Sequence, residues 1–155
     1  MMNDNDNLPE EHVLKLDQFW PYQVTVLADR IARRTSKIAK AHNLNLSQWR
    51  VLAAIAEVPG RTSVEVVTIT PMDKGIVSRA TKALLIMGLV RREASQRDGR
   101  ISHLHLTAEG LDLYQQIIPK VMAVLQVAST GLPQEAQAHL SEGLSLLMAA
   151  LPDLR

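Results

Sequence analysis

The feature that most constrains this chain is the pair Asp98-Gly99, set between "LVRREAS" and "RISHLHL". Asp-Gly suits a tight turn whose central residues need positive φ, so it is the strongest short-range signal for a β-hairpin. The turn is flanked by a cation on each side, Arg97 and Arg100. Elsewhere the apolar spacing is three and four, the period of helices. The chain is therefore expected to be mainly helical, with one two-stranded hairpin projecting from the helices.

Composition agrees with that class. At 155 residues the chain amounts to about one domain. Hydrophobic residues make up 46% and aromatics only 3%, so the core must be built from Leu, Val, Ile, Ala and Met. With no cysteine, disulfides and thiolate chemistry are excluded. The opening "MMNDNDNLPEEH" lacks the basic-then-apolar order of a signal peptide, and no apolar run approaches the roughly 20 residues of a membrane span. A cytoplasmic protein is expected. Net charge is only +1, but it is unevenly distributed. Residues 1–17 are acidic, whereas residues 74–100 hold Lys74, Arg79, Lys82, Arg91, Arg92, Arg97 and Arg100 against Glu93 and Asp98. A basic segment in a nearly neutral chain is a candidate anion-binding surface.

Along the chain, residues 1–16 read as a polar arm. Val24, Leu27, Ala28, Ile31, Thr35, Ile38 and Ala39 mark an amphipathic helix between Tyr22 and His42. Ser47 is expected to cap a second helix that ends before Pro59-Gly60, with Trp49, Leu52, Ala53 and Ala56 as its buried stripe. "TSVEVVTIT" is β-branched, yet Thr62 and Glu65 have the spacing of a capping box, which favours a short helix. Thr70 and Pro71 give a further start signal for a helix running to about Met87 and stopping at Gly88. Beyond the hairpin, Thr107 is placed to cap a long helix kinked at Pro119. A last helix follows Pro133, with Leu140, Leu144, Leu147 and Leu151 along one side.

The helix after Met72 carries the functional signal. At about 100° per residue, Ile76, Val77, Ala80, Ala83, Leu84 and Met87 share one arc, and Lys74, Gly75, Ser78, Arg79 and Lys82 share the other. The second arc has cations for phosphates, a hydroxyl for hydrogen bonding and a glycine that lets backbone approach, which suits a helix in the DNA major groove. Arg79 has the planar fork that matches guanine O6 and N7, and Lys74 and Lys82 suit phosphates. A short helix, a turn, a basic helix and a hairpin tipped with arginines make a winged helix-turn-helix. Arg97 and Arg100 then fall where a wing touches DNA, with Asp98 placed to orient one of them.

The stretch "MDKGIVSRATKALLIMGLVRREASQRDGRISHLHLTAEG" resembles the core of MarR-type transcriptional regulators, whose wing signature corresponds to Asp98, Arg100, Leu106, Thr107 and Gly110. "LSQWRVLAAIAEVPGRTSVEV" is similar to the family's preceding helices, although "VEVVTIT" is more β-branched than its usual Leu-Ala-rich helix. The resemblance covers about residues 18–152. It implies a domain over 17–152, with a winged core at 45–106 and dimerisation helices at 17–42 and 107–152. It also implies a homodimer on a pseudo-palindromic operator, released by a small effector such as an aromatic acid or its thioester. A winged module that binds protein instead of DNA is the alternative, and the basic face argues against it.

Other residues support less. His103 and His105 share a strand face, but without cysteines or adjacent acids they read as strand filling rather than metal ligands. Ser63, Ser78 and Ser102 have no His and Asp at a nucleophile spacing, and no glycine-rich phosphate loop is present. No enzyme activity, cofactor or metal is expected. Phe19, Trp20 and Tyr22 open the first helix; they either pack a dimer core or line an effector pocket in which Arg30 or His42 holds a carboxylate. The candidate ligand residues are Trp20, Tyr22, Arg30 and His42.

Overall fold

A computed structural model describes residues 13–95 and 101–151. These residues form six helices and one antiparallel two-stranded sheet: α1 Trp20–Lys40, α2 Leu46–Glu57, α3 Ser63–Ile69, α4 Lys74–Ile86, β1 Val90–Ala94, β2 Ser102–Leu106, α5 Ala108–Ser129 and α6 Gln134–Ala150. The order is the expected one. None of the described helices is long and apolar enough to cross a membrane. The chain divides into two compact units, one ending at Arg34 and the other beginning at Thr35.

In the second unit, α2, α3 and α4 wrap a core of Leu44, Trp49, Leu52, Ile55, Val66, Met72, Val77 and Leu84, closed by Leu104 of β2 and Ile117 of α5. Trp49 stacks on Tyr114 of α5 with ring centroids 5.7 Å apart. Nearly all of this core is aliphatic, as the low aromatic content requires.

Two helix starts differ from the sequence expectation, for one reason. The cap of α2 is Asn45 rather than Ser47: its side chain accepts from Gln48 N at 2.8 Å, while Gln48 Oε1 accepts from Asn45 N at 2.7 Å. The cap of α4 is Asp73 rather than Thr70, with Asp73 Oδ1 accepting from Ile76 N at 2.7 Å. In each case the residue before the cap and the one four beyond it, Leu44 with Trp49 and Met72 with Val77, are buried. These are the positions of a hydrophobic staple, which fixes where the chain turns into the helix. Core burial thus selects among several polar residues that could all cap. Thr70 instead donates its hydroxyl to Val66 O at 2.7 Å, at the end of α3. Met87, expected in the core, is the C-cap of α4 and is exposed. Gly88 follows with φ +70°, the left-handed conformation that ends a helix.

The β-branched segment is helical, as the Thr62–Glu65 box predicts; both reciprocal hydrogen bonds are present. The helix α5 is capped by Thr107 as expected and continues through Pro119, whose ring lies on the exposed side. A lone hairpin is marginal in water. Here it is anchored by backbone: Gly60 N donates to Leu104 O at 2.8 Å and Leu104 N donates to Arg61 O at 3.0 Å. The α2–α3 turn thus pairs with the outer edge of β2, and His103 Nδ1 lies 2.8 Å from Gly60 O.

Candidate nucleic-acid interface

The two faces of α4 separate as its periodicity requires. Val77, Ala80, Thr81 and Leu84 are buried, and Lys74, Gly75, Ser78, Arg79 and Lys82 are exposed. Because Asp73 is the cap, Lys74 and Gly75 occupy the first turn, where backbone N–H groups have no partner within the helix. The Arg79 side chain folds back along this turn: a Cβ built on Gly75 would lie 3.4 Å from Arg79 Nη1 and 3.2 Å from Asp73 Oδ1. The glycine therefore leaves room for the guanidinium at the N-terminal end of the helix. Cations, a hydroxyl and free N–H groups share one surface, suited to an anionic, hydrogen-bonding partner.

The hairpin sets two adjacent arginines on opposite faces, since side chains alternate along a strand. Arg91 pairs in register with His105, and Arg92 with Leu104. Arg91 Nη1 donates to Glu93 Oε2 at 3.0 Å, and His105 Nε2 is 3.6 Å from the same oxygen. The hydrogen bond from Arg91, then its charge and that of His105, hold the Glu93 carboxyl below its ordinary pKa. The face with His103 and His105 is thus a local polar network, and among the described residues no group of three metal-binding side chains occurs.

Arg92 instead opens onto a cavity of about 380 Å³ between α3, α4 and β1, lined also by Ser63, Val64, Lys74 and Ser78. The sequence showed Arg92 only as part of a net charge. Its strand alternation was the signal that could have separated it from Arg91. The expected wing tip, Arg97, Asp98 and Arg100, lies outside the described residues. The strands leading to it are present, and Ser95 N donates to Ile101 O at 2.9 Å.

Of the four candidate ligand residues, Tyr22 and Arg30 share a cavity of about 250 Å³ with Leu16, Val26 and Leu27. Trp20 is exposed and does not line it. His42 Nε2 accepts from Lys120 Nζ of α5 at 2.8 Å.

Comparison with known proteins supplies the family. The sequence profile of the MarR family matches residues 42–101, from the end of α1 into the hairpin. An uncharacterized HTH-type transcriptional regulator of Staphylococcus aureus is 31% identical over 103 residues, covering 65% of this chain and 70% of the relative. Among solved structures, a MarR-family regulator from Silicibacter pomeroyi superposes with a TM-score of 0.81 at 23% identity, covering 88% of this chain and 92% of that one. A MarR-family regulator from Listeria monocytogenes, solved in complex with a 26mer DNA, superposes with a TM-score of 0.79 at 25% identity, covering 83% and 85%. The order of elements, the capped basic helix beside an anchored hairpin and these similarities agree: the chain belongs to the MarR family of winged helix-turn-helix transcriptional regulators, and not to an enzyme family.

Proposed function

We propose that the chain acts as a homodimer on double-stranded DNA, holding a pseudo-palindromic operator and repressing transcription until a small effector releases it. The observation that carries this reading is the exposed face of Lys74, Gly75, Ser78, Arg79 and Lys82, with the Asp73 cap as the acid at its N-terminal edge, on a helix whose other side is locked in the core. In this reading Arg79 makes the bidentate contact to guanine in the major groove, and Lys74 and Lys82 bind phosphates. The wing carries Arg97 and Arg100 toward the neighbouring groove, with Asp98 orienting one of them. The similar Listeria regulator, solved with DNA, supports this use of the fold.

Dimerisation is supported by α6, which buries none of its residues and leaves Leu140, Leu144 and Met148 exposed along one side, followed by the exposed C-cap Leu151. An apolar face of this extent is unstable in water without a partner. The second chain covers it, with residues 17–42 and 107–152 as the dimerisation helices and 45–106 as the DNA-reading lobe. A two-fold dimer on one face of the duplex places its half-sites about 34 Å apart.

The effector in this reading is an aromatic acid or its thioester, held in the cavity where the ring of Tyr22 and the cation of Arg30 meet apolar side chains. It acts through its higher affinity for a conformer with mis-spaced recognition helices, which lowers operator affinity by that difference. Trp20 and His42 have no assigned contact with it. The test is binding of a duplex from the chain's own promoter across a salt series, with sedimentation to give the subunit number. A dimer whose affinity falls steeply with salt supports the proposal; absence of binding at low salt refutes it, as does a monomer.

A further inference from the structure

Neighbouring arginines on β1 have opposite surroundings, and this bears on how DNA is held. Arg91 is engaged with Glu93 at 3.0 Å. Arg92, one residue on, opens onto the groove between α3, α4 and β1, with Lys74, Val77 and Ser78 of α4 and Ser63, Val64 and Val67 of α3 as its other lining residues. No acidic residue lines this groove, and among the described residues neither Arg92 nor Lys74 forms a salt bridge. Two cations and two hydroxyls therefore converge on a cavity of about 380 Å³ that is open to solvent.

The geometry of a duplex says what enters it. If α4 lies in the major groove and the wing reaches the adjacent minor groove, one sugar-phosphate strand separates the two grooves. That strand must cross the interval between α4 and the hairpin, where Arg92 and Lys74 line the same cavity. We propose that Arg92 and Lys74 together grip a backbone phosphate of that strand, with Ser63 and Ser78 as further donors, so that Arg92 locks the spacing between recognition helix and wing. The inference rests on the DNA-binding reading above. An arginine suits the role because its planar fork can donate to two phosphate oxygens while packing against the strand. A phosphate contact fixes register without reading sequence.

The test compares Arg92→Ala, Arg92→Lys and Arg91→Ala with the parent on its own promoter duplex and on an unrelated duplex. Removing one phosphate contact should lower the slope of log affinity against log salt by about 1 and weaken both duplexes alike, by roughly three- to tenfold. Arg92→Lys should restore the slope, and Arg91→Ala should leave slope and affinity at the parent values. A free phosphate ion offers the same oxygens, so thermal denaturation in phosphate and in chloride at matched ionic strength separates the two sources. Equal melting in both salts supports the duplex backbone as the ligand. A phosphate-dependent rise that Arg92→Ala abolishes would overturn it. An unchanged slope in Arg92→Ala, with the parent binding normally, also overturns the inference and leaves the DNA-binding reading intact. A parent with no salt-dependent binding overturns both.

Discussion

Gly110 lies against the carbonyl of Leu89 so closely that a Cβ at this position would be 1.9 Å from Leu89 O. The first turn of α5 is thereby set directly on the corner where α4 ends and β1 begins. Thr107 completes the joint: its N–H donates to Leu89 O at 3.1 Å, its hydroxyl donates to Gly88 O at 2.7 Å, and the same hydroxyl accepts from Gly110 N at 3.0 Å. The helix that leaves the winged core is rigidly tied to the base of the wing.

Gly110→Ala should therefore be destabilising although alanine favours helices. Leu89 O is backbone and cannot rotate away, so α5 must shift as a whole, at a cost of about 1–3 kcal/mol or more. Chemical denaturation measures this. Equal stability of parent and variant would show that α5 is not seated as described.

The Thr62–Glu65 box gives a pH dependence. Hydrogen bonds from the Thr62 backbone N–H and then its hydroxyl hold the Glu65 carboxyl below its ordinary value of 4.5. A carboxyl lowered on folding contributes stability that is present above its unfolded pKa and is lost as pH falls through the folded one. Thr62→Ala keeps the backbone N–H and removes the hydroxyl, so it should move the Glu65 titration part of the way back up, followed by NMR. It should also lower stability at neutral pH by about 1 kcal/mol, the usual effect of losing an N-cap. A titration unmoved by the substitution would contradict the box.

Thr81 is fully buried in α4, and among the described residues its Oγ1 is a buried side-chain oxygen without a hydrogen-bond partner. Leaving a hydroxyl unsatisfied in the core costs about 1–3 kcal/mol. Thr81→Val keeps the shape and removes the hydroxyl, so the melting temperature should rise or stay level while DNA binding is unchanged. A clear loss of stability would mean the hydroxyl has a partner.

Much of this molecule was legible in its sequence, because its local signals agree. Thr62, Thr107 and Gly88 each mark an element boundary by backbone chemistry alone. The exposed face of α4 followed from helical periodicity. What failed was choice among equivalents: Ser47 and Thr70 can cap as well as Asn45 and Asp73, and only burial of Leu44 and Met72 decides between them. Tertiary neighbours were likewise invisible. His103 reads as strand filling until Gly60 O is found beside it, and Arg92 reads as charge until Lys74 is found lining the same cavity. Contacts between residues far apart in the chain leave no trace in local spacing.

The central claim is that α4 reads base sequence through Arg79. The decisive measurement is the affinity of Arg79→Ala and Lys82→Ala for the operator and for single-base variants of it, at fixed salt. Arg79→Ala should lose roughly 1–3 kcal/mol and the preference at one base pair of each half-site, whereas Lys82→Ala should weaken all sequences alike. If Arg79→Ala binds its operator as tightly and as selectively as the parent, α4 is not the recognition helix.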